Sequence, residues 1–199
     1  MRLYLRSRAL PAALLVLIAL TLLTWRCADW LVDSPRFGTT ARVPVVALAP
    51  LLAGSAAAAS LFTHSAELER TAPRPLAALR GVQLLLVTAL YALALGATVT
   101  SDAAHFGAQA MVRNVLGTAG LAALSAVAFG ARLAWVLPLA CTGTAYLAAP
   151  RVHGGAVSVW AWPVQPGAEG GAWGAALGLL AAGVAAGVRW GPRAGSGRA

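Results

Sequence analysis

The sequence predicts an all-α integral membrane protein: one transmembrane domain over residues 1–199, with six transmembrane helices and a short cytoplasmic helix between the second and third. Three observations predict it. Of the 199 residues, 59% are hydrophobic and the mean hydropathy is +0.74. Only 11% are charged, against about a quarter in a soluble domain. The apolar residues also fall into runs near the roughly 20 residues needed to cross a bilayer.

The first span is residues 9–31. Arg2, Arg6 and Arg8 precede it, and the run ends in Trp25-Arg26-Cys27 rather than a small-x-small cleavage site, so it reads as an uncleaved span. Trp25 and Trp30 suit an outer aromatic belt. A turn-rich outer loop around Asp33, Ser34, Pro35 and Gly38 leads to the second span, 43–63. Its Gly54-Ser-Ala-Ala-Ala-Ala-Ser60 stretch is small on every face, which lets helices approach closely and places this span at the centre of the bundle.

Residues 64–80 form the polar elbow HSAELERTAPRPLAALR. Ser65 can cap a short helix, with Glu67 and Glu69 in its first turn at the positive end of the helix dipole. Pro73 and Pro75 break that helix, and Pro75 suits the first turn of the next one. By its residues alone the elbow is either a solvated charged loop or a docking knuckle for a soluble partner.

The third span, 81–101, carries Gln83, Thr88 and Tyr91. The fourth, 110–130, opens with Arg113-Asn114, and a tight turn at Gly130 leads to the fifth, 133–149, with Pro138, Thr142 and Tyr146. The polar segment 150–171 contains VSVWAW, residues 157–162, which suits an interfacial stretch resting on the outer leaflet. The sixth span is 172–190. Gly174, Gly178, Ala182 and Ala186 share one face of it at small-xxx-small spacing, beside Gly183 and Gly187, and that row is expected to pack inside the bundle.

Ten of the fifteen arginines fall on the side of the two termini and the elbow, and five on the other. The positive-inside rule puts that side in the cytoplasm of a plasma-membrane protein. Positive-inside topology explains the net charge of +9 better than nucleic acid does, because the arginines stand singly between apolar runs.

Arg113 and Asn114 are the most unusual polar residues in a span. An arginine at mid-bilayer costs about 2.5–3.5 kcal/mol, but one turn inside the boundary it can snorkel to the headgroups. The sequence fits either a functional pair or a span that starts after Asn114. Buried hydroxyls need partners in lipid, so Thr88, Tyr91, Thr142 and Tyr146 are expected to face the bundle, and with Arg113 and Asn114 they are the candidate cargo path.

No acid occupies the middle of a span, which disfavours ion-coupled transport and aspartyl intramembrane proteolysis. Cys27, Cys141 and the three histidines are scattered, so no catalytic set, metal site or cofactor is expected. No phosphate-binding loop occurs; if ATP drives this protein, another chain supplies it.

The stretches ELERTAPRPLAALR, RNVLGTAGLAAL and GARLAWVLPLA, within residues 60–150, resemble the transmembrane permease subunits of actinobacterial ABC exporters. The resemblance implies a separate ATPase chain, a dimer of like or unlike membrane subunits, and a coupling helix that docks on the ATPase. That helix falls on residues 65–70, with Ser65, Glu67, Leu68, Glu69 and Arg70 as the docking residues. The alternative class is a non-catalytic membrane binding or accessory protein, such as the substrate-capturing subunit of a vitamin importer, or a scaffold.

Overall fold

The computed structural model describes residues 10–28, 32–34, 38–41, 43–59, 75–99, 106–150 and 154–190. The chain order is helix α1 (Leu10–Arg26), strands β1 (Val32–Ser34) and β2 (Gly38–Ala41), then helices α2 (Val43–Ala59), α3 (Pro75–Thr98), α4 (Ala108–Phe129), α5 (Val136–Ala148), α6 (Gly155–Trp160) and α7 (Gly170–Arg189). Single 3-10 turns cover Ala131–Leu133 and Trp162–Val164. The elbow residues 65–70 lie outside the described residues.

Among the described residues, three helical stretches are long and apolar enough to cross a membrane: Ala78–Thr98, Ala108–Phe129 and Gly170–Arg189. At 1.5 Å per residue, α4 is about 33 Å long. The helices α1 and α2 have 17 residues each, about 25 Å, and α5 has 13. The expected fourth and sixth spans match α4 and α7 closely. The fifth is corrected: its first residues form a 3-10 turn, so Pro138 stands in the first turn of α5, where its missing N–H costs nothing. The helix of the third span starts at Pro75, as the proline's fitness for a first helical position leads one to expect, and ends at Thr98. The outer loop after α1 is also more regular than expected. β1 and β2 pair antiparallel, Val32 opposite Ala41 and Ser34 opposite Gly38, with an irregularity between.

The helices alternate in direction. Asn114 and Thr118 of α4 meet Val46 and Pro50 of α2 in the same order, so these two run parallel. Gly96 of α3 meets Val112 while Leu84 meets Ala123, so α3 and α4 are antiparallel. Gly81 lies against Val188, so α7 opposes α3 and runs with α4. α5 returns beside α4 through a turn at Gly130, whose φ of +94° suits glycine. One end of the bundle thus carries the hairpin, α6 and the starts of α2, α4 and α7. The other, the elbow end, carries the starts of α1, α3 and α5.

The exterior is apolar. Leu15, Leu93 and Leu147 are about 70% exposed, and Leu86, Trp25 and Trp190 nearly as much (69%, 72%, 72%, 66%, 63% and 68% respectively), as side chains facing lipid would be. The second span lies inside the bundle as expected: Val46, Ala53, Gly54, Ala57 and Ala58 of α2 are among its buried residues. It packs there on α4, which is 61% buried, against 33% for α3 and 22% for α7. Small residues make this possible. A Cβ on Gly120 would overlap the backbone of Leu179, one on Gly183 would overlap Gly120, and one on Gly54 would stand 2.6 Å from the Thr118 carbonyl carbon. The small row expected on α7 is only partly in phase with this contact. Gly174 and Gly178 face open space, whereas Ala186 of that row and the neighbouring Gly183 and Gly187 are buried, in one stripe with Ala172 and Ala176.

Candidate functional site

The site is a knot of polar groups on the first half of α4, built from the chain's own backbone. Arg113 and Asn114 are fully buried. Arg113 does not snorkel and the helix does not begin after Asn114, so both sequence readings of that pair's surroundings are corrected. Arg113 Nη1 donates to the Pro166 carbonyl at 2.6 Å, Nη2 to the Gln165 carbonyl at 2.7 Å, and Nε to Asn114 Oδ1 at 3.1 Å. Charge-assisted bonds contribute about 1.5–3 kcal/mol each, so three of them offset the roughly 3 kcal/mol cost of an arginine inside a span. Among the described residues no carboxylate pairs with Arg113 directly, although the Glu169 charge lies near enough to act on it.

Asn114 is saturated. Its amide donates to Val46 O at 2.9 Å and Pro163 O at 2.7 Å while its oxygen accepts from Arg113. The Val46 bond has a local cause. Pro50 stands inside α2 and lacks the N–H that would have bonded the carbonyl four residues earlier. Asn114 replaces that missing donor. One turn on, Thr118 Oγ1 is 2.8 Å from Pro50 O and 2.7 Å from Asn114 O. Three side chains on one face of α4 therefore tie α2 and the 163–166 segment to the same helix.

The aromatic stretch before that segment divides. Val159 and Trp160 stay exposed, and after α6 the chain enters the bundle. Trp162 is 1% exposed and its ring fills a notch at Gly117, where a Cβ would stand 2.5 Å from the ring. Cys141 packs against it, partly buried, and Leu121, Ala172 and Ala176 complete the seat. Gln165 is buried, and its Oε1 has no hydrogen-bond partner.

The other expected path residues do not join this knot. Tyr91 is buried and donates to Ala13 O at 2.7 Å, tying α3 to α1. Thr88 and Thr142 are buried on α3 and α5, with no hydrogen-bond partner at either hydroxyl oxygen. Tyr146 is half-buried. Ser65, Glu67, Leu68, Glu69 and Arg70 lie outside the described residues. Sequence reasoning missed Thr118, Trp162, Gln165 and Gly117. Pro50 inside an apolar run was a signal available, but for Asn114: it announces the unpaired Val46 carbonyl that Asn114 meets.

Other openings are apolar. A groove of about 240 Å³ between α1 and α2 is lined by residues including Leu20, Leu23, Thr24, Cys27, Leu48 and Leu52. Among the described residues no cluster of His, Cys, Asp or Glu could hold a metal ion. No protein-family model, curated protein or solved structure matches this chain.

Proposed function

We propose that the chain is a six-pass plasma-membrane subunit with both termini in the cytoplasm, which works through a soluble cytoplasmic partner docked at the elbow. In the permease reading that partner is an ABC-type ATPase, this chain binds no ATP itself, and two membrane subunits, like or unlike, form the transport unit. One observation carries the proposal. The alternating helix directions put the last turn of α2 at the same end as the starts of α1, α3 and α5, and Arg80, Arg132 and Arg189 fall toward that end, in keeping with the arginine bias read from the sequence. A short capped helix there would meet a cytoplasmic protein, with Leu68 as its apolar anchor and Glu67 or Glu69 pairing a basic groove.

The experiment is Glu67→Ala, Leu68→Ala and Glu69→Ala, singly and together, with copurified ATPase and its ATP turnover measured at matched expression. Loss of a buried charge pair costs about 2–5 kcal/mol of binding, so the triple variant should lose its ATPase. Assembly and turnover like wild type would reduce the elbow to a loop.

A second reading, an accessory or scaffold membrane protein, is favoured by a different observation: Arg113, Asn114 and Thr118 spend their donors on internal carbonyls. Purification from the native host separates the two, since a permease brings an ATPase and a substrate-capturing subunit brings a small ligand.

A further inference from the structure

We propose that residues 155–166 form a plug, a re-entrant segment that swings out of the hairpin end of the bundle and reseats. The seat is a buried one: Ala161, Trp162, Val164 and Gln165 are at most 1% exposed. Trp162 fills the Gly117 notch. The polar ties from Arg113 and Asn114 to the segment end on backbone carbonyls, those of Pro163, Gln165 and Pro166. Such ties hold a path of the chain rather than a pattern of side chains, and they can be broken and remade as a unit.

The flanks suit motion. Gly154 and Gly155 hold φ of +84° and +58° at the start of α6, a region other residues rarely adopt, and Gly170 opens α7 with nothing near its Cβ position. The closed state also leaves a polar atom unserved. Among the described residues Gln165 Oε1, on the segment, is buried without a hydrogen-bond partner. An opened segment would wet it, so opening recovers hydration there while it forfeits the Trp162 seat and the ties from Arg113 and Asn114. Two states with opposed terms of this kind can both be populated. The plug stands on the packing alone and does not depend on the permease reading.

The structure supplies a lock. A Cβ built on Gly171 lies 3.3 Å from Ser158 Cβ, just under the roughly 3.5–4.5 Å of a disulfide, so a shift of a few tenths of an ångström admits the bond. Ser158→Cys with Gly171→Cys would therefore fasten α6 to the first turn of α7. The reporter is Val164→Cys, on the segment and 1% exposed. The control is Ala123→Cys, equally buried on α4 against Leu84. Both are placed in a background with Cys27→Ala and Cys141→Ala, and each full-length protein is reconstituted in nanodiscs so that a hydrophilic maleimide reaches both faces.

The Val164→Cys reporter should label measurably without denaturant. Oxidising the lock should slow that labelling by about tenfold or more, and reduction should restore the rate. Arg113→Gln, which loses two carbonyl ties, should speed labelling of the reporter by a similar factor and leave the Ala123→Cys control unchanged. No labelling of the reporter in the unlocked protein, or equal rates with the lock oxidised and reduced, would overturn the plug. So would an Arg113→Gln effect shared equally by the control, which marks general loosening. If Arg113→Gln does not fold, the lock comparison with Arg113 intact decides alone.

Discussion

The two halves of α4 are held by different physics. Toward the hairpin end, Arg113, Asn114 and Thr118 donate to the backbone of α2 and of residues 163–166. Toward the elbow end, Gly120, Ala122, Ala123 and Ala126 hold α4 by close approach. Polar contact there is short-range, from Ser125 Oγ to Leu133 O at 2.6 Å across the Gly130 turn. The difference follows from what faces each half. Regular helices offer no unpaired backbone groups, so only van der Waals contact is available against α7. A helix broken by Pro50 and an irregular segment both offer free carbonyls, and polar side chains collect there.

The comparison breaks most directly at Gly120. Gly120→Leu puts a branched side chain into the backbone of Leu179, which cannot move aside as a flexible side chain would. More than about 4 kcal/mol should be lost, read as failure to accumulate folded protein in detergent by circular dichroism. Asn114→Leu keeps the volume near constant but strands Val46 O, Pro163 O and one Arg113 donor. A cost of about 2–4 kcal/mol is expected, measured by mixed-micelle unfolding. A cost under about 0.5 kcal/mol would mean the polar half adds only order, since hydrogen bonds inside membranes average about 0.6 kcal/mol in double-mutant cycles.

Pro50→Ala sharpens the point. It gives Val46 O a donor within its own helix, so Asn114→Ala should cost about 1 kcal/mol less in that background than in wild type. A cycle that sums to zero would remove Pro50 as the reason for Asn114. The smallest effect is expected at Gly174→Ala, on the outward row of α7. Nothing lies within 4 Å of its Cβ position, so unfolding should stay within about 0.5 kcal/mol of wild type or improve slightly through helix propensity. A large loss would show that a second subunit packs on that row.

Much of this was legible from residue order. The bounds of α4 and α7 follow from apolar length, and the start of α3 from Pro75. Arg113 and Asn114 stand out because polar groups in such a run need partners. Their partners did not stand out, because Gln165 and Pro166 lie 52 and 53 residues away in a stretch whose tryptophans read equally well as interfacial. The small row on α7 was visible but its phase was not: an alanine- and glycine-rich helix offers several nearly equivalent faces, and spacing alone cannot rank them. The shortening of the fifth span was hidden for a related reason, since Leu133, Ala134 and Trp135 are as apolar as the helix that follows them.

By itself, then, the sequence determined the apolar character of the chain, the placement of its long helices and the presence of a polar pair that had to be satisfied. Those properties depend on local composition and on hydrogen-bonding groups that each residue carries wherever it goes. Only the tertiary structure decided that α4 is the hub, that Trp162 turns inward onto Gly117, and that Asn114 serves the carbonyl Pro50 leaves open. Those depend on which surfaces meet, and close approach between small residues is settled by the shapes of both partners at once.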